Sequence, residues 1–170
     1  MLLVTLALGA CASVQQGAAS VMNADALSGR LVVRVDASGG AAARSENAAF
    51  ELQGDAKAGR LDLATPLGTV VAQARWAPGS VMLVTPRGER RFADLDALTE
   101  EMLGESVPVA ALFDWLRGRP WAGAASAATP DPGFTQLGWA VSLARFDEGW
   151  VVAKRDRAPA VTVRAKLDQR

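Results

Sequence analysis

Few side chains in this chain of 170 residues are available for chemistry, because it has one cysteine, Cys11, and no histidine. An intrachain disulfide, a zinc site made of cysteine and histidine, and a histidine-based catalytic triad are therefore excluded. Ser106 and Ser142 have no histidine to activate them, and no pair of carboxylates has a spacing that can be judged from the sequence. We therefore expect neither enzymatic activity nor a metal or other cofactor.

The single thiol stands in an informative place. Cys11 follows Leu8, Gly9 and Ala10, at the end of an uncharged and almost wholly apolar start. Small residues before a cysteine let an extended chain fit a signal peptidase, and the thiol can then take a diacylglycerol, as in the lipobox of bacterial lipoproteins. A buried core cysteine is the alternative, but an apolar run too short to cross a membrane favours a processing site. We predict a signal peptide over residues 1–10 and lipid attachment at Cys11.

Composition divides the rest of the chain into two parts. The residues that follow Cys11 are small and polar without any period, which predicts a lipidated flexible tether over residues 11–27. From residue 28 onward an alternating pattern begins, and residues 28–170 have the length of one folded domain. The formal net charge at pH 7 is zero, so we expect no nucleic-acid partner.

Basic residues outnumber acidic ones near the C-terminus. A solvated strand face is the plainer interpretation of this cluster, and a docking role is the alternative. The cluster consists of Lys154, Arg155, Arg157, Arg164, Lys166 and Arg170.

Apolar and polar residues alternate with a period of two along most of the domain, and turn residues separate the alternating segments. This pattern predicts about ten antiparallel strands. They cover residues 30–35, 48–52, 60–63, 69–76, 80–85, 89–93, 134–137, 139–146, 149–155 and 160–167.

Between the sixth and seventh of these strands the period becomes helical. Asp94 or Asp96 can cap a first helix whose apolar face holds Leu95, Leu98 and Met102, and Gly104 can end it. Pro108 opens a second helix, with apolar residues at helical spacing as far as Leu116. So many strands with one apolar face each are expected to curl into a closed or nearly closed barrel, which the helices would plug or cover. The predicted fold class is mainly β, of the α+β type. Residues 122–133 are predicted to form a loop.

Small alanines alternate with large residues on the inward faces, for example around Trp76. They would either fit a tapering, fully packed core or leave a cavity for something apolar such as acyl chains, and composition does not decide between these. The strand period of two and the helical period predict which residues face inward, and these residues are a candidate cavity lining. These residues are Leu31, Val33, Phe50, Leu52, Leu61, Leu63, Val70, Trp76, Leu112, Phe113 and Leu116.

A series of short motifs resembles the LolB family of outer-membrane lipoprotein receptors, in order and with matching spacing from about residue 28 to residue 150. The motifs are Phe50-Glu51-Leu52, Leu61-Asp62-Leu63, Thr65-Pro66-Leu67-Gly68-Thr69, Trp76-Ala77-Pro78-Gly79, Leu103-Gly104-Glu105-Ser106-Val107-Pro108 and Leu112-Phe113-Asp114-Trp115-Leu116-Arg117-Gly118-Arg119-Pro120.

The resemblance implies an open antiparallel β-barrel of ten to eleven strands, with a helical lid over a hydrophobic cavity. It also implies that the chain accepts acylated lipoproteins from the periplasmic carrier LolA and inserts them into the outer membrane, without catalysis. Ala12 follows the lipidated cysteine in place of the aspartate that retains lipoproteins in the inner membrane, so we expect the periplasmic face of the outer membrane. We also expect a monomer. A structural or scaffolding outer-membrane lipoprotein is the alternative.

Leu67 carries the sharpest single-residue hypothesis. Pro66 and Gly68 favour a type I turn that places Leu67 at a hairpin tip facing water. An isolated exposed leucine is usually without function. The family, however, has a protruding leucine at this point of this turn and uses it to enter the membrane, so the resemblance implies that role for Leu67.

Overall fold

A computed structural model describes residues 26–168, which form eleven strands and two helices. The signal peptide, Cys11 and all but the last two residues of the tether lie outside the described part. The strands are β1 (Leu27–Val35), β2 (Arg44–Gly54), β3 (Gly59–Ala64), β4 (Val70–Ala77), β5 (Ser80–Thr85), β6 (Gly88–Phe92), β7 (Ser126–Ala128), β8 (Gly133–Gln136), β9 (Trp139–Ser142), β10 (Trp150–Arg155) and β11 (Val161–Leu167). The helices are α1 (Leu95–Leu103) and α2 (Val109–Trp115).

All the strands belong to one antiparallel sheet in the order β6-β5-β4-β3-β2-β1-β11-β10-β9-β8-β7. Each strand pairs with its neighbour in sequence except where the first strand pairs with the last, Val33 opposite Val163. The edges β6 and β7 are not joined to each other, and the two helices lie in the chain between them. The sheet is therefore open, which confirms the predicted open antiparallel barrel with helices.

Alternation of burial explains why these segments form strands. In β11 every second residue from Val161 to Leu167 is buried, and β1 buries Val33 and Val35 while Arg30 and Arg34 face water. One face of such a strand thus contributes to a single core inside the sheet, and the other is solvated.

Helix α1 begins and ends as its sequence predicts. The Asp94 carboxylate accepts a hydrogen bond from the backbone N–H of Ala97 at 2.7 Å. Gly104 ends the helix in the left-handed conformation, with φ of +77°, and its N–H bonds to the carbonyl of Glu100. Met102 was expected on the packed face but is 43% exposed, because burial in α1 is confined to Leu98 and Thr99, one turn earlier.

Two strand predictions need correction. Strand β7 lies inside the segment expected to be a loop; its three residues are all exposed, so no side-chain period marks it and only its backbone pairing with β8 defines it. Strand β9 ends at Ser142 rather than near Phe146, because the chain turns there and the N–H of Phe146 bonds to the carbonyl of Leu143 at 3.0 Å. Within residues 26–168, neither helix has the length and apolar character to cross a membrane.

Candidate functional site

Helix α2 packs over the interior of the sheet. Its residues Val109, Ala111, Phe113 and Trp115 are buried, whereas Leu112 is half-buried. Leu116 follows the helix and is also buried. The helix therefore presents apolar side chains to two sides of the interior, one formed by β1, β2 and β3 and the other by β8 to β11.

On the β1–β3 side a small cavity of about 30 Å³ remains beneath α2, and its lining is wholly apolar. The lining offers no hydrogen-bond partner to a water molecule, so it favours an apolar occupant. Six residues of the predicted lining and Val109 form it. These are Leu31, Phe50, Leu52, Leu61, Val109, Leu112 and Leu116.

Several leucines on this side are incompletely buried, whereas Leu52 and Leu116 are buried. Leu31, Leu61, Leu63 and Leu112 are all half-buried, although each packs against the core. Strand β3 is half-buried at every position from Gly59 to Ala64. The β1–β3 side is thus an apolar surface that α2 covers only in part.

Two other residues of the predicted lining pack against each other beside the cavity. The rings of Trp76 and Phe113 meet edge to face with centroids 5.4 Å apart, and both residues are buried. The indole N–H of Trp76 donates to the carbonyl of Asp55 at 3.0 Å. The N–H groups of Ala58 and Lys57 donate to the Asp55 carboxylate and hold its pKa below the usual value, so this β2–β3 turn is a fixed support for Trp76.

The remaining two predictions for the lining differ in outcome. Val33 is buried and belongs to the core. Val70 was expected to face inward together with Ala72 and Trp76, but it is 51% exposed. The register shifts between Leu63 and Ala64 so that Val70 pairs with Ala64, and this β-bulge turns Val70 to the outer face.

The β8–β11 side is packed in a different way. The Trp115 ring, fully buried, lies 6.4 Å from that of Phe134 and 6.1 Å from that of Trp139. The indole N–H of Trp115 donates to Oε1 of Gln136 at 2.8 Å. Val163 on β11 is buried there as well. The inward residues of β8, β9 and β10 are buried too, and the half-buried Leu143 lies just after β9.

Gln136 is a buried polar hub that the sequence analysis did not identify. Its Oε1 also accepts from the N–H of Trp121 at 2.9 Å, and its Nε2 donates to the carbonyls of Trp121 at 2.7 Å and Ala124 at 2.8 Å. These bonds attach the chain that follows α2 to strand β8. The signal available in the sequence was a glutamine two residues after Phe134, at an inward position of an alternating strand.

A buried ion pair holds the segment between the two helices. Nη2 of Arg155 lies 2.6 Å from Oε2 of Glu105, and the guanidinium also donates to the carbonyl of Ser106 at 3.3 Å and lies over the ring of Trp139. Arg155 therefore points inward and is buried, in contrast to the solvated or docking face proposed for the basic cluster that included it. The alternation of β10 fixes this direction, because Val151 and Ala153 are buried too.

The β3–β4 hairpin is the most exposed apolar feature of the described chain. Leu67 is 95% exposed, and Val70 and Val71 beside it are also exposed. The N–H of Gly68 donates to the carbonyl of Thr65 at 2.9 Å, which closes the predicted turn. Leu67 has a negative φ, so the turn is not type II, and Gly68 adopts a φ of +84°.

Comparison with known proteins places this fold in a family. The family model described as outer membrane lipoprotein LolB matches residues 26–167. The outer-membrane lipoprotein LolB of Bordetella pertussis is 38% identical over 126 residues, which cover 70% of this chain and 63% of that protein. The LolB of Bordetella petrii is 34% identical and covers 95% of this chain and 87% of its own length. That of Cupriavidus taiwanensis is 35% identical, with 88% and 72% covered.

The matched part spans a little under two thirds of the Bordetella pertussis relative and most of the other two. The family match includes every strand and both helices of the described structure. It confirms the predicted family and the predicted outer-membrane lipoprotein class. This chain belongs to the LolB family of outer-membrane lipoproteins.

Proposed function

We propose that this chain is an outer-membrane acceptor that receives acylated lipoproteins from the periplasmic carrier LolA and inserts them into the outer membrane. The observation that carries this proposal is the β1–β3 side of the interior, where half-buried leucines and an apolar cavity lie beneath α2. Apolar side chains that are only partly covered can be covered further by an apolar ligand. No reactive group is needed for this task, because the cargo changes place without any bond being made or broken.

The physical reason for an acceptor is the cost of exposing acyl chains to water. Each buried methylene is worth about 0.8 kcal/mol, so a lipoprotein with several acyl chains does not leave one apolar site for water at a useful rate. Transfer from the interior of LolA to that of an acceptor needs no energy source if the acceptor holds the chains more tightly. Release into a bilayer is favourable again.

The interior must open to take a ligand, because a cavity of about 30 Å³ holds no acyl chain. We expect it to open between α2 and the β1–β3 side. Trp115 and Gln136 fix the C-terminal end of α2 to β8, and Arg155 fixes the segment before α2 through Glu105. Movement of Leu112 and of the leucines on β1 and β3 breaks no hydrogen bond between side chains.

Leu67 is proposed to direct delivery. At 95% exposure it has nothing to bury it within the described fold, and Val70 and Val71 enlarge the same apolar tip. Burial of one leucine in lipid is worth about 1.5–3 kcal/mol, which is enough to bring the hairpin into the membrane surface without trapping the protein there.

Lipid attachment at Cys11 and the periplasmic face of the outer membrane stay predictions, since Cys11 lies outside the described residues. Substitution Cys11→Ser tests them. Cell fractionation is expected to find the variant unprocessed and released from the outer membrane, whereas a mature-sized variant that stays bound there would contradict the anchor.

The function itself is tested by transfer in solution. The chain without residues 1–11, which keeps the whole described fold, is mixed with LolA that carries an acylated lipoprotein, and the two carriers are separated. We expect the lipoprotein to move to this chain. If it stays on LolA while this chain is folded, the proposal is wrong.

A structural lipoprotein on the same fold is the second candidate, and the small volume of the cavity favours it. The two candidates differ in how the interior responds to apolar ligand. A fluorescent fatty acid should bind the acceptor and displace the half-buried leucines, whereas a structural protein with a filled interior would show no saturable binding.

A further inference from the structure

The outer face of β1, β11 and β10, which points away from the interior, has an uneven distribution of charge. Its outward-facing positions carry cations and no acidic residue, although the whole chain has zero net charge. We call this surface the basic face. Its cations are Arg30, Arg34, Lys154, Arg164 and Lys166.

The strand register places these cations close together. Arg30 stands opposite Lys166, and Arg34 and Lys154 stand on either side of Thr162. Like charges on neighbouring strands destabilise a sheet. Arg34 is paired with Asp36 at 2.8 Å, and Lys166 bonds to the carbonyl of Glu148.

The other three cations, Arg30, Lys154 and Arg164, form no ion pair with any of residues 26–168. Within the described fold, no carboxylate lies at ion-pair distance from these three side chains. The middle of the face is apolar, because Val32 and Val152 stand on either side of Arg164. Val32 is exposed. A partner that fits this surface has negative charge and tolerates apolar contact.

A second exposed leucine marks one corner of this surface. Leu137 and Gly138 form the two-residue turn between β8 and β9, with φ of +53° and +76°. This left-handed conformation favours asparagine or glycine, and a leucine there is strained. Leu137 is nevertheless 46% exposed, so its side chain is not held there by burial in the core.

The topology puts Leu137 at the same end of the barrel as Leu67. Strands β1, β3, β8 and β10 run in one direction, so the turns that follow them lie at the same end. Leu67 follows β3, Leu137 follows β8, and β1 and β10 with the basic face lie between these two strands in the sheet. Two exposed leucines thus flank a cationic surface.

We propose that the basic face, with Leu137 at its β8–β9 corner, docks this domain on the anionic phospholipid surface of a membrane. This rests on the proposed membrane role of the chain. A bilayer supplies both the negative charge and an apolar layer that two separate hairpin tips can enter, whereas a protein partner would need a pocket for each. Leu27, where β1 begins, follows Cys11 by 16 positions, so an anchor at Cys11 would hold β1 within about 55 Å of the lipid.

The test uses the chain without residues 1–11, which has no anchor, and phosphatidylcholine vesicles with and without phosphatidylglycerol. We expect binding to the anionic vesicles only, and weaker binding as salt is added. Each cation near an anionic surface is worth about fivefold in binding, so the triple variant R30S/K154S/R164S should bind on the order of 100-fold more weakly. The matched control is R75S/R87S/R91S, which removes the same charge from exposed positions of β4, the β5–β6 turn and β6.

If both triple variants bind as the wild type does, or if both bind more weakly by the same factor, the basic face is not the docking surface. Transfer of a lipoprotein from LolA in solution, without vesicles, is measured in parallel. A basic-face variant that binds vesicles normally but accepts no lipoprotein would assign the face to a protein partner and overturn the proposal. Normal vesicle binding by a wild-type chain that accepts no lipoprotein would instead refute the proposed function alone.

Leu137 is tested by Leu137→Asn, which suits the left-handed turn and should unfold at the same or a higher urea concentration. We expect it to bind anionic vesicles several-fold more weakly. Met102→Asn, at another exposed apolar residue, should bind as the wild type does. Unchanged binding by Leu137→Asn would exclude this leucine from the docking surface.

Discussion

The two sides of the barrel interior meet the same helix but differ in how completely they are packed. On the β8–β11 side, Trp115 is fully buried among aromatic rings and its N–H is satisfied by Gln136. On the β1–β3 side, Leu112 and Leu61 are half-buried around an apolar cavity. Stability should therefore depend mostly on one side and ligand uptake on the other. A protein that stays folded while its interior opens to a ligand needs one fully packed side and one side that can move.

The largest effect is expected where packing is complete. Trp115→Ala leaves a cavity that the neighbouring side chains cannot easily fill. It should lower the free energy of unfolding by about 3–5 kcal/mol. Leu112→Ala, on the same helix but facing the β1–β3 side, should cost clearly less. Urea titration of both variants measures the difference, and an equal loss would mean that the two sides are packed alike.

Removal of the polar hub on the β8–β11 side should have the next largest effect. Gln136→Leu fills most of the same space with an apolar side chain but leaves the N–H groups of Trp115 and Trp121 without their acceptor. Buried groups without partners cost about 1–3 kcal/mol, so we expect a loss of roughly 2–3 kcal/mol. Urea titration checks this value. Phe134→Leu, two residues earlier, is the control for a purely apolar change, and a smaller loss for Gln136→Leu than for that control would contradict the importance of the hub.

Sequence periodicity predicted the features that depend on burial of side chains. Strands β1 to β6 and both helices follow alternating or helical patterns, and the Asp94 cap and the Thr65–Gly68 turn follow local chemistry. Strand β7 has no buried side chain and so left no pattern. The direction of Val70 depended on a bulge that shifts the register, which a strict period of two does not represent.

Side-chain partners far apart in the chain were not predictable in the same way. Gln136 bonds to Trp115 across 21 positions, and Arg155 pairs with Glu105 across 50. Each residue alone reads as a polar residue of a strand, and only the sheet order brings its partner to it. Six of the residues predicted to face inward do surround the apolar cavity, because the alternating and helical periods decide which way they point.

The β1–β3 side should show a functional effect with a small change of stability. Leu112→Asp places a carboxylate at the apolar cavity, where an unpaired charge opposes an apolar ligand. Because Leu112 is half-buried, the carboxylate can reach water, and we expect a stability loss of only about 1–2 kcal/mol. Binding of a fluorescent fatty acid should fall at least tenfold.

Leu112→Met is the matched control and should bind the fatty acid as the wild type does. If Leu112→Asp unfolds the chain, or if it keeps normal binding, the β1–β3 side is not an adaptable lining.

The smallest change of stability is expected at the hairpin tip. Leu67→Glu leaves Pro66 and Gly68 intact and alters an exposed side chain, so the free energy of unfolding should change by no more than about 0.5 kcal/mol. Acceptance of a lipoprotein from LolA should stay near normal, because the interior is unaltered. Delivery to liposomes should fail, since a carboxylate opposes entry into lipid.

The measurement is a two-step assay of acceptance and delivery, with Leu67→Met as the control that keeps an apolar tip. An equal loss in both steps would place Leu67 in the docking or lining surface, and normal delivery would make it an ordinary exposed leucine.

The central claim is that acyl chains enter on the β1–β3 side, and photo-crosslinking tests it without any substitution. A lipoprotein with a photoreactive group on its acyl chain is loaded from LolA, irradiated, and the adducts are located by mass spectrometry. We predict adducts on the peptides that contain Leu31, Leu61 and Leu112. Adducts on the interior residues of β8 to β11, or no adducts despite a completed transfer, would contradict the account.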